Sequence, residues 1–358
     1  MSNATGTVQW AVDGISGGNS AVGTITPNGL YKAPQVAHVA TITASGTSPS
    51  FSAQASAAVT DLAAVWTEHN DNARTSQNLK EYALTPANLT SGRFHKQWSC
   101  SVDGQILAQP LFVAGVPVGS RIYNLLIVAT HHDSVYAFDA DDPACHVVWQ
   151  TSFINGTTVL PAQTTCVDTP GEYGIQPTPV IDLASQRIYV LAVTAESGTI
   201  YQRLHALSLT TGQDAVSNIA IQATAPGNPG VTFAADKERP RAGLALSNGG
   251  VFLSWGSFCD PGSYVWHGWL MRYDAATLAQ TAVFNATPNP TVSAYGGGGI
   301  WMSSGAPAID SGGAMYLSTG NGDFNDTAET IPGPASDDFG MGVLKFDTFN
   351  PSQLSVQD

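Results

Sequence analysis

Charge is scarce in this chain of 358 residues: Lys, Arg, Asp and Glu make up 11% of it, with 13 basic side chains against 27 acidic ones. The formal charge of −14 argues against nucleic-acid and anionic-membrane partners, whose surfaces repel an acidic protein. Helical signals are equally thin. No long stretch carries apolar residues at i, i+3 and i+4, so helices are expected to be few and short. No apolar run reaches the ~20 residues that span a bilayer, which leaves membrane insertion without a segment to perform it. The first residues, MSNA, lack the basic and apolar regions of a signal peptide. Catalytic signatures are missing too: there is no HExxH and no glycine-rich phosphate loop after a strand. Cysteine is limited to Cys100, Cys145, Cys166 and Cys259, and none of the spacings is the CxxC of a zinc site. One or two disulfides in an oxidising compartment is the preferred reading over four reduced core thiols, with three pairings open if all are bridged.

What the chain does have is a recurring unit. Opening strands read QPLFVAG from Gln109, TPVIDLA from Thr178, AGLALSN from Ala242 and APAIDSG from Ala306. Aligning Pro110, Pro179, Gly243 and Pro307 spaces them 69, 64 and 64 residues apart. A second series ends each unit: VYAFDADDP from Val135, LHALSLTTG from Leu204, LMRYDAATL from Leu270 and VLKFDTFNP from Val343. Alternation of apolar and small or polar residues into a turn describes half-buried strands, and a period of this length built from short strands predicts an all-β fold of the β-propeller type with four recognisable blades. Asp139, Ser208, Asp274 and Asp347 fall at one position of the repeat, where a short oxygen side chain is expected to cap the following turn.

Residues 1–60 differ. Trp10 in VQWAVDG, the turns GISGGNS and TPNGLYKAP, and the alternating HVATITASG and SAQASAAVT describe part of a small antiparallel sandwich. Residues 61–93 are read as a linker and lead-in loop, and 94–358 as the blades.

The segment VQWAVDGISGGNSAVGTITPNGLYKAP resembles the second half of a bacterial Ig-like domain. Residues 66–358 resemble bacterial secreted PQQ-binding-like, quinoprotein-type β-propeller proteins, through HNDNART, VDGQILAQPLFVAG, VATHHDSVYAFDAD, CDPGSYVWHGWLMRYDAATL, GGIWMSSGAPAIDSGGAMYLSTGNGDF and the closing VLKFD. That resemblance implies an extracellular, periplasmic or cell-surface location, and it implies further blades after the VLKFD strand. A four-bladed ring would instead need residues 94–102 to pair with Val343–Asp347. Unpaired edges on an incomplete sandwich or propeller are expected to favour oligomers. Quinoprotein alcohol dehydrogenases of this propeller type hold PQQ between a tryptophan and a vicinal-cysteine disulfide, with Ca²⁺ on carboxylate and amide oxygens. This chain has no adjacent cysteines, and only its first repeat ends in the docking tryptophan, Trp149.

Ligand-binding candidates are the residues just before each opening strand, where propeller loops converge on the channel: Gln105 and Gln109, Tyr173 and Gln176, Arg239 and Arg241, and Trp301 with Ser303 and Ser304. These side chains suit a polar, planar or sugar-like ligand; alternatively, Arg and Gln tie neighbouring blades together. His131, His132 and Asp133 follow a second strand, as His267 does in the third repeat. HHD lacks HxH or HxxxH metal spacing, so an Asp–His bond between loops is expected there. His69, in the lead-in loop, is expected to be structural. Asn321, Asp323, Asn325 and Asp326 place oxygens at alternating positions, a partial Ca²⁺ loop that equally reads as a turn. The glycines Gly296–Gly299 are expected to form a flexible approach to the next strand. The leading functional expectation is a propeller that binds a small molecule, a glycan or a protein at the channel mouth. The alternatives are a PQQ- and Ca²⁺-dependent dehydrogenase and a Ca²⁺-dependent propeller hydrolase or lactonase.

Overall fold

Every regular element among the described residues of the computed structural model is a β-strand. The structure describes residues 7–47, 49–81, 96, 98–161, 172–258, 265–289, 296–302, 305–325 and 337–357. The chain divides into two compact units, one of residues 1–63 and 78–97, the other of residues 64–77 and 98–358. The expected linker of residues 61–93 is therefore split between them, and its middle part, residues 64–77, is an integral piece of the larger unit.

In the smaller unit, Gln9–Val12 pairs antiparallel with Ile15–Ser16 on one edge and His38–Thr47 on the other, and Ser50–Val59 extends the sheet beyond it. A second sheet of Gly18–Asn19, Gly23–Ile25 and Tyr31–Lys32 accompanies it. Val12, Ile25 and Ala40 form the buried centre, with Trp10 and Tyr31 packed against them.

The larger unit is a β-propeller of four antiparallel sheets, each from one sequence repeat. Blade 1 runs Leu111–Val118, Arg121–Ala129, Ser134–Asp139, Val147–Ser152, and Ala64–Val65 adds to its inner edge. Blade 2 is Val180–Asp182, Arg187–Glu196, Thr199–Ser208 and Ile219–Ala220. Blade 3 is Ala245–Ser247, Gly250–Ser257, Trp269–Asp274 and Gln280–Asn285, with Glu238–Arg239 on the far end of its second strand. Blade 4 is Ala308–Ile309, Ala314–Ser318 and Val343–Asp347. Among the described residues the outer edge of that last strand takes Val356, which bridges Phe346; of the alternative partner 94–102, residues 94, 95 and 97 lie outside the described residues and the rest form no strand.

Blade stacking explains the sequence pattern. RIYVLAV is nearly all apolar because the strand is covered on both faces. Ile188, Val190 and Ala192 face Leu125, Ile127 and Trp149 of blade 1, while Tyr189 and Leu191 meet Leu253, Trp255 and Met271 of blade 3. VFLSW repeats the arrangement one blade later: Val251, Leu253 and Trp255 face blade 2, and Phe252 packs with Met315 and Phe346 of blade 4. Each such buried side chain contributes about 1.5–3 kcal/mol of transfer free energy. The outer face of blade 1, where Val128, Tyr136 and Phe138 lie, is covered by Cys100, Val102 and Cys145, and the two cysteines form a disulfide.

The repeat position that carries Asp139, Ser208, Asp274 and Asp347 caps its turn in all four blades. Their oxygens accept from the amides of Asp141, Thr210, Ala276 and Phe349 at 3.1, 3.3, 3.1 and 2.9 Å. The residue that follows each of the last three is where the preceding blade docks. Trp149 donates its indole N–H to the Leu209 carbonyl at 2.8 Å, Tyr189 its hydroxyl to the Ala275 carbonyl at 2.7 Å, and Asn248 its amide to Thr348 Oγ1 at 2.8 Å. One tryptophan suffices because tyrosine and asparagine take its place at the next two junctions.

Residues 66–74 cross the inner strands in succession. The Trp66 carbonyl accepts from Ile181 N, Glu68 accepts from the Thr178 hydroxyl, and Gln109 Oε1 accepts from His69 N. Asn72 donates to the Leu246 carbonyl at 2.9 Å and accepts from Ile309 N at 2.6 Å, and Arg74 Nε donates to the Pro307 carbonyl at 3.0 Å. Residues 66–74 are thus a staple across all four blades. Arg74 also donates from Nη1 to Thr67 Oγ1 and the Glu68 carbonyl, and burial pulls its guanidinium down to about 10. His69, Asn70 and Arg74 all take positive φ to make the crossing.

Candidate ligand site at the channel mouth

The loops that precede the inner strands bring part of the predicted set together. Gln176 donates its amide to His131 Nε2 at 3.0 Å and accepts the Arg239 Nε–H at 2.6 Å. An amide nitrogen has no lone pair to offer, so His131 is the acceptor and its ring proton sits on Nδ1. The result is a one-way chain, Arg239 to Gln176 to His131, through blades 3, 2 and 1. All three side chains are at most 1% exposed. Arg239 also lies over two rings, 5.2 Å from the centroid of Trp301 and 5.6 Å from that of Phe258. Phe258 meets Tyr173 edge-on at 4.6 Å, and Tyr173 meets His131 at 5.9 Å. Blade-tying and site-building therefore coincide in the same side chains.

Glycine makes room for Trp301. A Cβ on Gly256, the register partner of Arg239, would stand 3.1 Å from the indole, and one on Gly299 would stand 3.1 Å from the Gly256 backbone. The run Gly296–Gly299 is accordingly a packed crossing and not a flexible approach: Gly296 and Gly297 pair in parallel with Trp266 and His267, and Gly296, Gly297 and Gly298 all have positive φ.

Other candidates fall elsewhere. Gln109 is consumed by the staple, since it also donates to the Thr67 carbonyl at 3.4 Å. Gln105 has an exposed side chain and contributes its carbonyl to His131 N. Arg241 is half-buried at the start of blade 3. The expected Asp–His bond in HHD has a different acid: His132 Nδ1 meets Glu172 at 2.8 Å, across to blade 2. Asp133 is fully buried at φ 54° and accepts from the Val193 amide, and burial pushes its carboxyl well above the usual range. It anchors the Glu172–Gln176 loop from below, as the contact a Gly174 Cβ would make with Asp133 Oδ1, at 2.8 Å, shows.

In the TGNGDF loop Asp323 is buried, Asn321 and Asn325 are exposed, and Asp326 lies outside the described residues, as do Ser303, Ser304, Cys166 and Cys259. Among the described residues no three His, Cys, Asp or Glu side chains are placed to share a metal ion. No helix there is long and apolar enough to cross a membrane.

Sequence reasoning missed Glu238. Its neighbour Arg239 points to the channel, whereas Glu238 turns into blade 3 and accepts the Trp269 indole N–H at 3.2 Å. Burial raises its carboxyl to about 8, against the bonds from Trp269 and the His267 amide. Its only signal was position, in the lone charged cluster KERPR. His267 is buried at 4% exposure, bonds Thr287 Oγ1 through Nδ1 at 3.0 Å, and is pushed down to about 4 by desolvation.

No protein-family model matches the chain, and no curated protein sequence does. Solved structures do. A europium-containing methanol dehydrogenase superposes over 82% of this chain and 48% of its own length, with a TM-score of 0.54 and 13% identity. A quinohemoprotein alcohol dehydrogenase from Comamonas testosteroni matches over 82% of this chain and 40% of its own, with a TM-score of 0.49 and 16% identity. The quinohemoprotein alcohol dehydrogenase ADHIIG from Pseudomonas putida HK5 matches over 71% and 34%, with a TM-score of 0.44 and 17% identity. The chain spans less than half the length of each. At these identities the likeness to the methanol dehydrogenase establishes a shared propeller fold.

Proposed function

We propose that this propeller binds a small organic anion at its channel mouth, with Arg239 as the anchor. One observation carries the reading: a guanidinium at 1% exposure, held at Nε by Gln176 and flanked by the Trp301 and Phe258 rings. Fixing Nε and stacking the plane pre-orients the fork in which guanidinium meets carboxylate, and low local dielectric strengthens that contact. The Cys100–Cys145 disulfide supports a location in an oxidising compartment.

The propeller shared with the methanol dehydrogenase raises a second reading, a quinoprotein dehydrogenase. PQQ is a planar polycarboxylate, and Arg239 beside Trp301 suits such a molecule. The second reading is supported less well on the side of the quinone cover and of the metal. The chain has no adjacent cysteines to cover a quinone face, and no three metal-ligating side chains converge among the described residues. We therefore place the anion-binding reading first.

The test compares cyclohexanecarboxylate with neutral cyclohexanemethanol by calorimetry on the full chain. The acid is expected to bind more tightly. Arg239→Gln removes a charge-assisted contact worth about 1.5–3 kcal/mol, which lowers acid affinity at least tenfold, and Arg239→Lys retains part of it. Equal affinity for acid and alcohol, or an Arg239→Gln chain that binds as well as the parent, refutes the reading. Stoichiometric PQQ binding with Ca²⁺ and dye-linked alcohol oxidation would move the second reading ahead.

A further inference from the structure

The long outer strand of the smaller unit has no guard on its free edge. Ser50–Val59 pairs with His38–Thr47 through ten consecutive residues without a register shift, and among the described residues nothing pairs on its other side. Natural edge strands are blunted by lysine, proline, a bulge or shortness. SFSAQASAAV has none of these, and none of its side chains is buried. No charged residue lies between Val39 and Thr60, in a chain whose net charge is −14. The opposite edge of the same sheet is different: it is closed by Ile15–Ser16, a strand of two residues.

Register decides which backbone groups face outward. Thr47 and Ser50 are partners across two intervening residues, so they exchange both of their hydrogen bonds, and in an antiparallel pair such residues alternate with ones that point away. Phe51, Ala53, Ala55, Ala57 and Val59 therefore direct their N–H and C=O groups to the open edge. The same alternation sorts the side chains. These five are all apolar and share the face on which Ala57 packs against Val12, Ile25 and Ala40, while Ser50, Ser52, Gln54, Ser56 and Ala58 share the other.

The strand is also close to a palindrome about Gln54. Turned over about that residue, it sets Gln54 against Gln54, Ala53 against Ala55, Ser52 against Ser56 and Phe51 against Ala57. Apolar residues then meet apolar ones on one face and polar meet polar on the other, and the outward-pointing groups of Ala53 and Ala55 come opposite each other, as a hydrogen-bonded pair requires. A two-fold axis presents this arrangement to the strand from a second copy of itself. Two chains of this charge repel one another, and an uncharged edge adds nothing to that repulsion.

We propose that Ser50–Val59 is a dimer edge, pairing antiparallel with the same strand of a second copy across a two-fold axis at Gln54 and joining two four-stranded sheets into one. Residues 50–58 overlap, which at ~3.4 Å per residue makes a seam about 30 Å long. A contact of that size buries on the order of 1,000 Å², the low end for a specific interface, so the dimer is weak and reversible. The short strand on the far edge closes the assembly at two copies.

Sedimentation velocity over a concentration series tests the pairing. The full chain is expected to shift reversibly from one copy to two as it is concentrated. Ala55→Pro removes an N–H that points away from the sheet, where proline is tolerated, and is expected to weaken the dimer at least tenfold with an unchanged circular dichroism spectrum. Single cysteines on one exposed face test the axis. Gln54→Cys meets its own copy as a non-hydrogen-bonded pair about 4.5 Å apart, and is expected to form a reducible covalent dimer on mild oxidation. Ser52→Cys, set opposite Ser56, is not. If Ala55→Pro loses structure, the two cysteine variants decide. A chain that stays single at every concentration, a dimer indifferent to Ala55→Pro, or cross-linking of Ser52→Cys as strong as that of Gln54→Cys overturns the inference.

Discussion

Replacing Glu238 with Gln should make the propeller more stable at alkaline pH and change little in acid. The carboxyl is buried at 1% exposure, accepts from Trp269 Nε1, and is raised by desolvation from 4.5 to about 8. Below pH 4.5 the folded and unfolded chains both hold the proton, and ionisation contributes nothing. Between 4.5 and 8 the unfolded chain ionises while the folded one does not, so stability falls as pH rises, by up to about 1.4 kcal/mol per unit. Accumulated to pH 7 this is about 3 kcal/mol, and by pH 8 about 5. Glutamine keeps an acceptor for the Trp269 indole and cannot ionise. Urea midpoints for the two proteins, measured at pH 4.5, 6, 7 and 8.5 with the m-value checked for constancy, should coincide within about 1 kcal/mol at the lowest pH and separate progressively above it. A constant difference across that range, or a substituted protein that weakens faster than its parent at alkaline pH, would refute the reasoning.

Trp149→Ala should cost about 3–5 kcal/mol in urea unfolding, because the indole fills the blade 1 to blade 2 seam and bonds the Leu209 carbonyl; a loss below 1 kcal/mol would show that the seam does not depend on it. Replacing Cys100 and Cys145 together by Ser should lower stability by about 4 kcal/mol, as loop-closure entropy for a separation of 45 residues requires, with no effect of reductant on the double variant.

The blades were legible because a strand buried on both faces reads as a continuous apolar run, and because turn caps need the same few side chains each time. Both signals are local. Partners one blade away left no such trace: His132 takes Glu172 rather than the adjacent Asp133, and Tyr189 serves the junction that Trp149 serves one blade earlier. HNDNART reads as solvated loop because it is polar, yet its polar groups bond the inner-strand backbones of blades 3 and 4. Of the candidate site, Tyr173, Gln176, Arg239, Trp301 and His267 were singled out from position in the repeat. Glu238 was not, since a carboxylate in a charged cluster gives no sign that the strand will turn it inward.

The staple also has a consequence for the order of assembly. Its hydrogen bonds join residues 110, 174 and 233 positions apart, whereas most strand pairs within a blade close short hairpins. Blades 2, 3 and 4 have to exist before residues 66–74 have anything to grip, so the loop-closure entropy of that segment is met late, after the local hairpins have formed. The first piece of the propeller to leave the N-terminal side of the chain is thereby the last to find its place. Unfolding that begins with its release would loosen all four inner strands at once, which makes a short polar segment, rather than any blade core, the point that sets the lifetime of the folded state.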